Sequence, residues 1–247
     1  MSQQQQTIAF LGAATGVGLA ALKNTLVAGH KCVALARTPS KLNDALGVDL
    51  ASSANLKVIH GNAHELAAIK QLLKKEDDGN IVDAIVSTIG ARPAPGKMLS
   101  IEDPHVCGKA MKVLLQALTE LRAEGASGKP LIVACSTTGM SKFGREVPLA
   151  MVPFYSLALK VPRADKQVME DALVDSGEEF TIIRPSLLQN GESEKTIRVG
   201  IEDPKTGREV QEMGFAISRE DAGRWVAVHL LLKNEGRYKN KIATLTY

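Results

Sequence analysis

Short apolar, β-branched runs alternate with longer segments of helical periodicity along the whole chain. The runs at 7–11, 31–36, 56–60, 81–88, 130–135, 179–184 and 241–246 predict strands, and the segments at 16–28, 39–46, 64–75, 101–124, 163–176 and 219–233 predict helices. Such alternation implies parallel strands joined by helical crossovers, and near-continuous apolar strands such as Leu131 to Ala134 suit burial on both faces. The expected fold class is therefore α/β, a doubly wound parallel sheet of about seven strands forming one domain over residues 1–247, with no internal repeat and no dividing linker.

Two stretches interrupt the rhythm. Residues 139–162 carry Pro148, Pro153 and Pro162 among Met140, Phe143, Met151, Phe154 and Tyr155, too apolar for a solvated loop and too proline-rich for a regular helix, so a cover over a pocket is expected there. From Lys195 to Val210 the order TIRVGI, DPKTG, REV predicts a hairpin, and residues 187–218 around it form the second expected substrate-covering segment, a small C-terminal region. Both follow strands of the second half, where a doubly wound fold opens its crevice.

Between the first strand and the first helix lies GAATGVG, Gly12 to Gly18. Glycines there let the backbone approach an anion without an intervening Cβ, and the following helix aims its first N–H groups and positive dipole end at the same spot. A tight turn that binds nothing is the plain alternative. The end of the second strand decides which cofactor the loop could hold: an NAD site carries a carboxylate there for the adenosine ribose, whereas an arginine accommodates a 2′-phosphate. Here the strand KCVALA runs into Arg37, followed by Thr38 and Lys41, with no acidic residue among them. The guanidinium fork suits a phosphate, Lys41 adds a point charge, and the expected cofactor is NADP(H) on a Rossmann-type sheet.

Other strand ends extend the picture. Gly61, Asn62 and Ala63 follow the third strand, where the Asn62 amide suits adenine; Ser87, Thr88, Ile89 and Gly90 follow the fourth, where small residues let the backbone pass close to a ribose. The fifth ends in Ser136, Thr137, Thr138 and Gly139, three hydroxyls where a nicotinamide and a substrate carbonyl are expected to meet, although such groups also cap helices and make turns.

Composition narrows the function classes. Hydrophobic residues make up 45% and charged residues 23% of the chain, ordinary globular values, and a net charge of +3 without a basic run or stripe gives no nucleic-acid surface. No stretch approaches the length of a membrane span, and MSQQQQ has neither the charged nor the apolar region of a signal peptide, so a cytoplasmic protein with a short disordered start is expected. The three cysteines, Cys32, Cys107 and Cys135, fall in predicted strands or helices and are expected to be buried and reduced, and neither they nor the five histidines have metal-site spacing.

GAATGVG has the Gly-x-x-x-Gly-x-Gly spacing of short-chain dehydrogenase/reductases, and LARTPSKL, DKQVMEDALVDSGEEFTIIRPSLL and ISREDAGRWVAVHLL resemble the atypical branch with NmrA-like and flavin-reductase-like members. The resemblance spans residues 7 to 246. It implies that Gly12, Gly16 and Gly18, with Thr15 and Val17, form the phosphate loop and that Arg37 selects the 2′-phosphate. By the same resemblance Lys166 is the active-site lysine that holds the nicotinamide ribose, and backbone groups of Arg184, Pro185 and Ser186 meet the nicotinamide amide. A surface ion pair with Glu170, four residues on, is the other reading of Lys166.

One departure bears on the chemistry. The tyrosine that precedes this lysine by four residues in the family is Pro162 here, while Tyr155 lies seven residues earlier as a replacement proton donor or a packing residue. Thr137, with Ser136 beside it, falls near the family's catalytic serine. The resulting expectation is NADPH-dependent reduction of a small apolar carbonyl, quinone, enone or flavin-type substrate. Two alternatives remain: an NADP-dependent sensor that binds a protein partner, and a non-redox isomerase, cyclase or dehydratase on the same scaffold.

Overall fold

The computed structural model describes residues 5–91, 101–157 and 159–247, with the side chains of 154–156 left out. Residues 1–4 of the expected disordered start lie outside the described residues, as does the side chain of Tyr155.

In chain order the first half runs β1 (Thr7–Leu11), α1 (Gly16–Val27), β2 (Lys31–Ala36), α2 (Pro39–Leu46), α3 (Val48–Ala51), β3 (Leu56–His60), α4 (Leu66–Leu73) and β4 (Ala84–Ser87). The second half runs α5 (Val106–Ala123), β5 (Leu131–Cys135), α6 (Val152–Leu157), α7 (Lys160–Val174), β6 (Phe180–Pro185), β7 (Leu187–Gln189), β8 (Arg198–Asp203), β9 (Gly207–Val210), β10 (Ala216–Ser218), α8 (Arg219–Trp225) and β11 (Lys241–Thr246). Beyond Trp225, α8 continues as a π-helical stretch over Val226–Leu232.

The main sheet has nine strands in the order β3-β2-β1-β4-β5-β6-β11-β8-β9. All seven expected strands are present and parallel, and β8 and β9 add an antiparallel edge through the β11–β8 pairing. The hairpin expected at 195–210 is therefore part of the sheet and not a cover. Ile201 and Glu202 of β8, consecutive and so on opposite faces of the sheet, are both buried. What remains of the 187–218 segment is a short parallel pair, β7 with β10.

Helices cover both faces. Val17, Ala21 and Leu22 of α1, Leu42 of α2 and Trp225 of α8 share one core with one face of the strands; Leu72, Met111, Leu118, Met169 and Leu173 of α4, α5 and α7 pack on the other. Contact between α1 and α8 depends on Gly223, where a Cβ would come within 2.5 Å of the Val17 carbonyl oxygen. A glycine at this point is what lets α8 lie directly on the α1 backbone.

The 139–162 segment is more helical than its prolines suggested. It holds a 3-10 turn at Leu149–Met151, then α6, then the start of α7, with Pro153 and Pro162 each in a first helical turn. There a proline is tolerated, since its missing N–H has no partner in the helix to lose. Helix α7 accordingly begins at Lys160, three residues before the predicted start.

Candidate active site

The strand order reverses between β1 and β4, and a crevice opens at their carboxyl ends, as the geometry of a doubly wound sheet requires. Gly12 has φ +81° and Gly16 φ +59°, both in the left-handed region. A Cβ on Gly12 would lie 2.8 Å from the Thr88 carbonyl carbon, and one on Gly18 would lie 2.9 Å from the Gly12 carbonyl oxygen. The loop therefore runs against the end of β4 with no room for side chains. The single proton of the Thr88 hydroxyl is shared between Leu11 O at 3.2 Å and Gly12 O at 3.1 Å, so it shapes the loop from below. Thr15 is the N-cap of α1 but its side chain makes no capping bond, and Val17 and Gly18 are buried in the first turn.

A cavity of about 510 Å³ extends from this loop toward β2 and β3. Of the expected cofactor residues, Gly12, Thr15, Arg37, Thr38, Lys41, Asn62, Ala63, Thr88 and Gly90 line it. Arg37, Thr38 and Lys41 are exposed, and neither Arg37 nor Lys41 makes an ion pair with a described residue. Asn62 caps the approach to α4: its Oδ1 accepts from the His64 N–H at 3.2 Å, while Nδ2 makes no hydrogen bond with a described residue. Two acids also line the cavity, Glu102 and Asp103, but they belong to the segment before α5, not to the end of β2. Asp103 accepts the His105 N–H at 2.9 Å, which with Lys109 holds its carboxyl below the ordinary range.

The other group of expected residues gathers at the ends of β4, β5 and β6. The Lys166 ammonium donates to Ile89 O at 2.8 Å and closely to Cys135 O, bridging the ends of β4 and β5. No ion pair with Glu170 forms, because Glu170 turns to Arg184. An ammonium has three donors, and the third of Lys166 makes no hydrogen bond with a described residue. Its helix is docked by Asp165, whose two carboxylate oxygens accept the Cys107 and Gly108 N–H groups at 2.7 and 2.9 Å, where the positive end of α5 favours a carboxylate. Gly108 allows this close approach, since a Cβ there would lie 2.9 Å from Val168 Cγ1.

The hydroxyls after β5 divide. Ser136 is buried with Oγ against Met140 Sδ at 3.8 Å, and Thr138 is buried and engaged. Thr137 is half-exposed, and its hydroxyl makes no hydrogen bond with a described residue. Ser186 is buried, and its N–H donates to Leu245 O at 3.0 Å and its hydroxyl to Thr246 Oγ1 at 3.0 Å, tying the end of β6 to β11. Pro185 is buried, with its carbonyl accepting the Thr138 N–H at 3.2 Å.

Arg184 likewise lies inside the protein. Its guanidinium forks onto Glu170 at 3.0 and 2.6 Å and meets Glu146 at 3.0 Å and Glu202 at 3.1 Å. Burial would lower its pKa, but the surrounding carboxylates outweigh burial and raise it. Glu146 also accepts three successive backbone N–H groups, from Gly139, Met140 and Ser141, at 2.7–2.9 Å. This buried cluster fixes the segment after Thr137 to the sheet. Sequence reading missed Asp165, Glu146, Glu202 and the inward aim of Arg184, since no local pattern marks partners so far apart along the chain.

Fold and cavity together define a dinucleotide-binding α/β protein. Residues 12–231 match the NAD(P)H-binding family, and the chain belongs to it. It is 40% identical to "Reductase pytE" of Aspergillus terreus over 100% of both chains, and 32% identical to "Oxidase pynE" of Aspergillus niger over 97% of this chain and 98% of the relative. The fold recurs in a short-chain dehydrogenase/reductase (wide type) from Veillonella parvula solved in complex with NADP, at TM-score 0.69 and 16% identity over 99% of this chain and 95% of the other. ChuY, an anaerobillin reductase from Escherichia coli O157:H7, shares it at TM-score 0.65 and 18% identity over 97% and 96%. The resemblance to short-chain dehydrogenase/reductases read from the sequence is borne out. No described helix is long and apolar enough to cross a membrane.

Proposed function

We propose that the protein is an NADPH-dependent oxidoreductase that reduces a small, apolar conjugated acceptor, a ketone, enone, quinone or flavin-type molecule. The observation that carries this reading is the pair Arg37 and Lys41, two cations without ion-pair partners among the described residues, on the wall of the cavity that holds the glycine loop. Their chemistry suits a 2′-phosphate, with Arg37 binding through its fork and Lys41 through its charge.

The remaining residues take roles along the same line. Gly12, Thr15, Gly16, Val17 and Gly18 receive the pyrophosphate, Thr38 borders the 2′-phosphate, Asn62 reaches adenine through Nδ2 with Ala63 beside it, and Thr88 and Gly90 flank the ribose. Lys166 holds the nicotinamide ribose with its third donor, and Pro185 borders the ring. When bound, the reduced nicotinamide supplies a hydride. Thr137 orients the acceptor carbonyl through its hydroxyl, and Ser136 supports that turn from inside. With Pro162 where the family has a tyrosine, the proton comes from Thr137, Tyr155 or water, which favours acceptors such as quinones and flavins that solvent can protonate. Leu149, Val152, Leu157 and Val161 leave apolar surface exposed on the segment between Thr137 and Lys166, in keeping with an apolar acceptor. The protein acts on a small molecule in the cytoplasm and needs neither nucleic acid nor membrane.

Titration with NADPH and NADH tests the cofactor assignment: NADPH binds tighter on the order of 10–100-fold, and Arg37→Asp removes the preference. Equal affinities contradict it. Loss of reduced-nicotinamide absorbance with a panel of quinones, flavins, enones and ketones tests the reaction. Cofactor binding without consumption by any acceptor favours a sensor, or an isomerase, cyclase or dehydratase, a reading that the proline at position 162 keeps in view.

A further inference from the structure

The glycine loop GAATGVG contains no basic residue, so the loop itself offers a pyrophosphate only its backbone and the helix dipole. A cation does reach it, from more than 200 residues downstream in the chain. A Cβ on Gly16 would lie 3.2 Å from Arg219 Cδ and 3.7 Å from Arg219 Nε. The Arg219 side chain thus lies against the first residue of α1.

Packing explains why it is there. Ser218 caps α8 by accepting the Asp221 N–H at 2.9 Å, and Gly223 seats α8 on Val17 and Ala20 of α1. Arg219 is four residues before Gly223, on the same helix face one turn closer to the glycine loop. Its Nη1 donates to Leu188 O at 3.1 Å and Asn190 Oδ1 at 2.8 Å. Both acceptors are neutral, Arg219 forms no ion pair with a described residue, and Nη2 and Nε make no hydrogen bond with one. A guanidinium so held has no countercharge among the described residues and keeps several donors for a ligand.

We infer that Arg219 binds the cofactor pyrophosphate, closing over the glycine loop from α8 and linking phosphate occupancy to the segment Leu188 to Asn190. The inference rests on the NADP(H) reading above and adds to it a phosphate contact drawn from outside the nucleotide-binding half of the sheet. Because the end of β7 shares this guanidinium, the bound phosphate and the β7–β10 pair stabilise each other.

Calorimetric titrations separate the two ends of the cofactor. The probes are NADPH, NADP⁺ and 2′-AMP, which carries the 2′-phosphate and lacks the pyrophosphate. Arg219→Gln weakens NADPH and NADP⁺ on the order of 10–100-fold and leaves 2′-AMP unchanged; Arg219→Lys falls between. Arg37→Asp instead weakens 2′-AMP as well. Chemical unfolding of Arg219→Gln confirms a folded protein. Undiminished NADPH binding by Arg219→Gln overturns the inference, and so does an equal loss of NADPH and 2′-AMP, which would make Arg219 a structural anchor. Wild-type protein that binds neither NADPH nor NADH overturns the cofactor reading itself, and this inference with it.

Discussion

Gly12 and Thr88 are locked together at the switch point of the sheet: the Thr88 hydroxyl donates to the Gly12 carbonyl at 3.1 Å, and a Cβ on Gly12 would stand 2.8 Å from the Thr88 carbonyl carbon. Backbone on both sides leaves nothing able to move aside. Gly12→Ala must also hold φ +81°. The substitution is expected to cost on the order of 1–3 kcal/mol in urea unfolding and to weaken NADPH binding. Full stability in Gly12→Ala would show that the loop relaxes, contrary to the close approach described.

Arg184 carries a second prediction. Removing it leaves Glu170, Glu146 and Glu202 buried around an empty position, so Arg184→Met is expected to destabilise the protein by about 3–5 kcal/mol in chemical denaturation. Arg184→Lys keeps a charge but loses the fork on Glu170, and falls between the two. A loss near zero in Arg184→Met would mean the carboxylates are hydrated.

Lys166 joins the ends of β4 and β5, and on the proposed reading its remaining donor holds the nicotinamide ribose. Lys166→Met is expected to lower kcat on the order of 10²-fold through lost positioning. Binding of 2′-AMP stays at the wild-type level, because that probe reaches only the Arg37 end. A drop in 2′-AMP affinity matching the drop in kcat would place Lys166 in the support of the whole fold.

The cysteines give a pH prediction. All three are buried, and burial, against a smaller opposing effect of Lys166, pushes the Cys107 thiol up to about 11. In the unfolded chain a thiol ionises near about 8.5. The neutral thiol therefore favours the fold fully below that value, and its contribution falls as pH rises toward 11. Native protein near neutral pH is expected to resist a disulfide thiol reagent at all three cysteines until denaturant is added. Cys107→Ala is expected to flatten the alkaline fall in stability. Rapid labelling of native protein would contradict the burial.

Much of this was readable in the chain because it is local. The glycine loop, Arg37 with Lys41, and Asn62 each follow a strand by a few residues, so an apolar run and its next polar residue were enough to locate them. Pro162 misled because a proline within a helix's first turn looks, in sequence, like a proline that prevents one. Arg184 lies in a correctly predicted strand and Ser186 follows it, yet their partners come from β8, β11 and distant helices, whose pairing no local pattern announces. Arg219 and Asp165 were out of reach for the same reason: each acts where two helices meet, Arg219 on Gly16 and Asp165 on Cys107.

On the proposed reading one NADP(H) runs from Arg37 and Lys41, past Gly12 to Gly18, to Lys166 and Thr137. A crystal structure of the protein soaked with NADP⁺ tests it most directly. The 2′-phosphate is expected in hydrogen-bond contact with Arg37 and the nicotinamide ribose with Lys166, with C4 of the ring open to Thr137. A cofactor whose adenosine end is bound by Glu102 or Asp103, with Arg37 and Lys41 left in solvent, would contradict it.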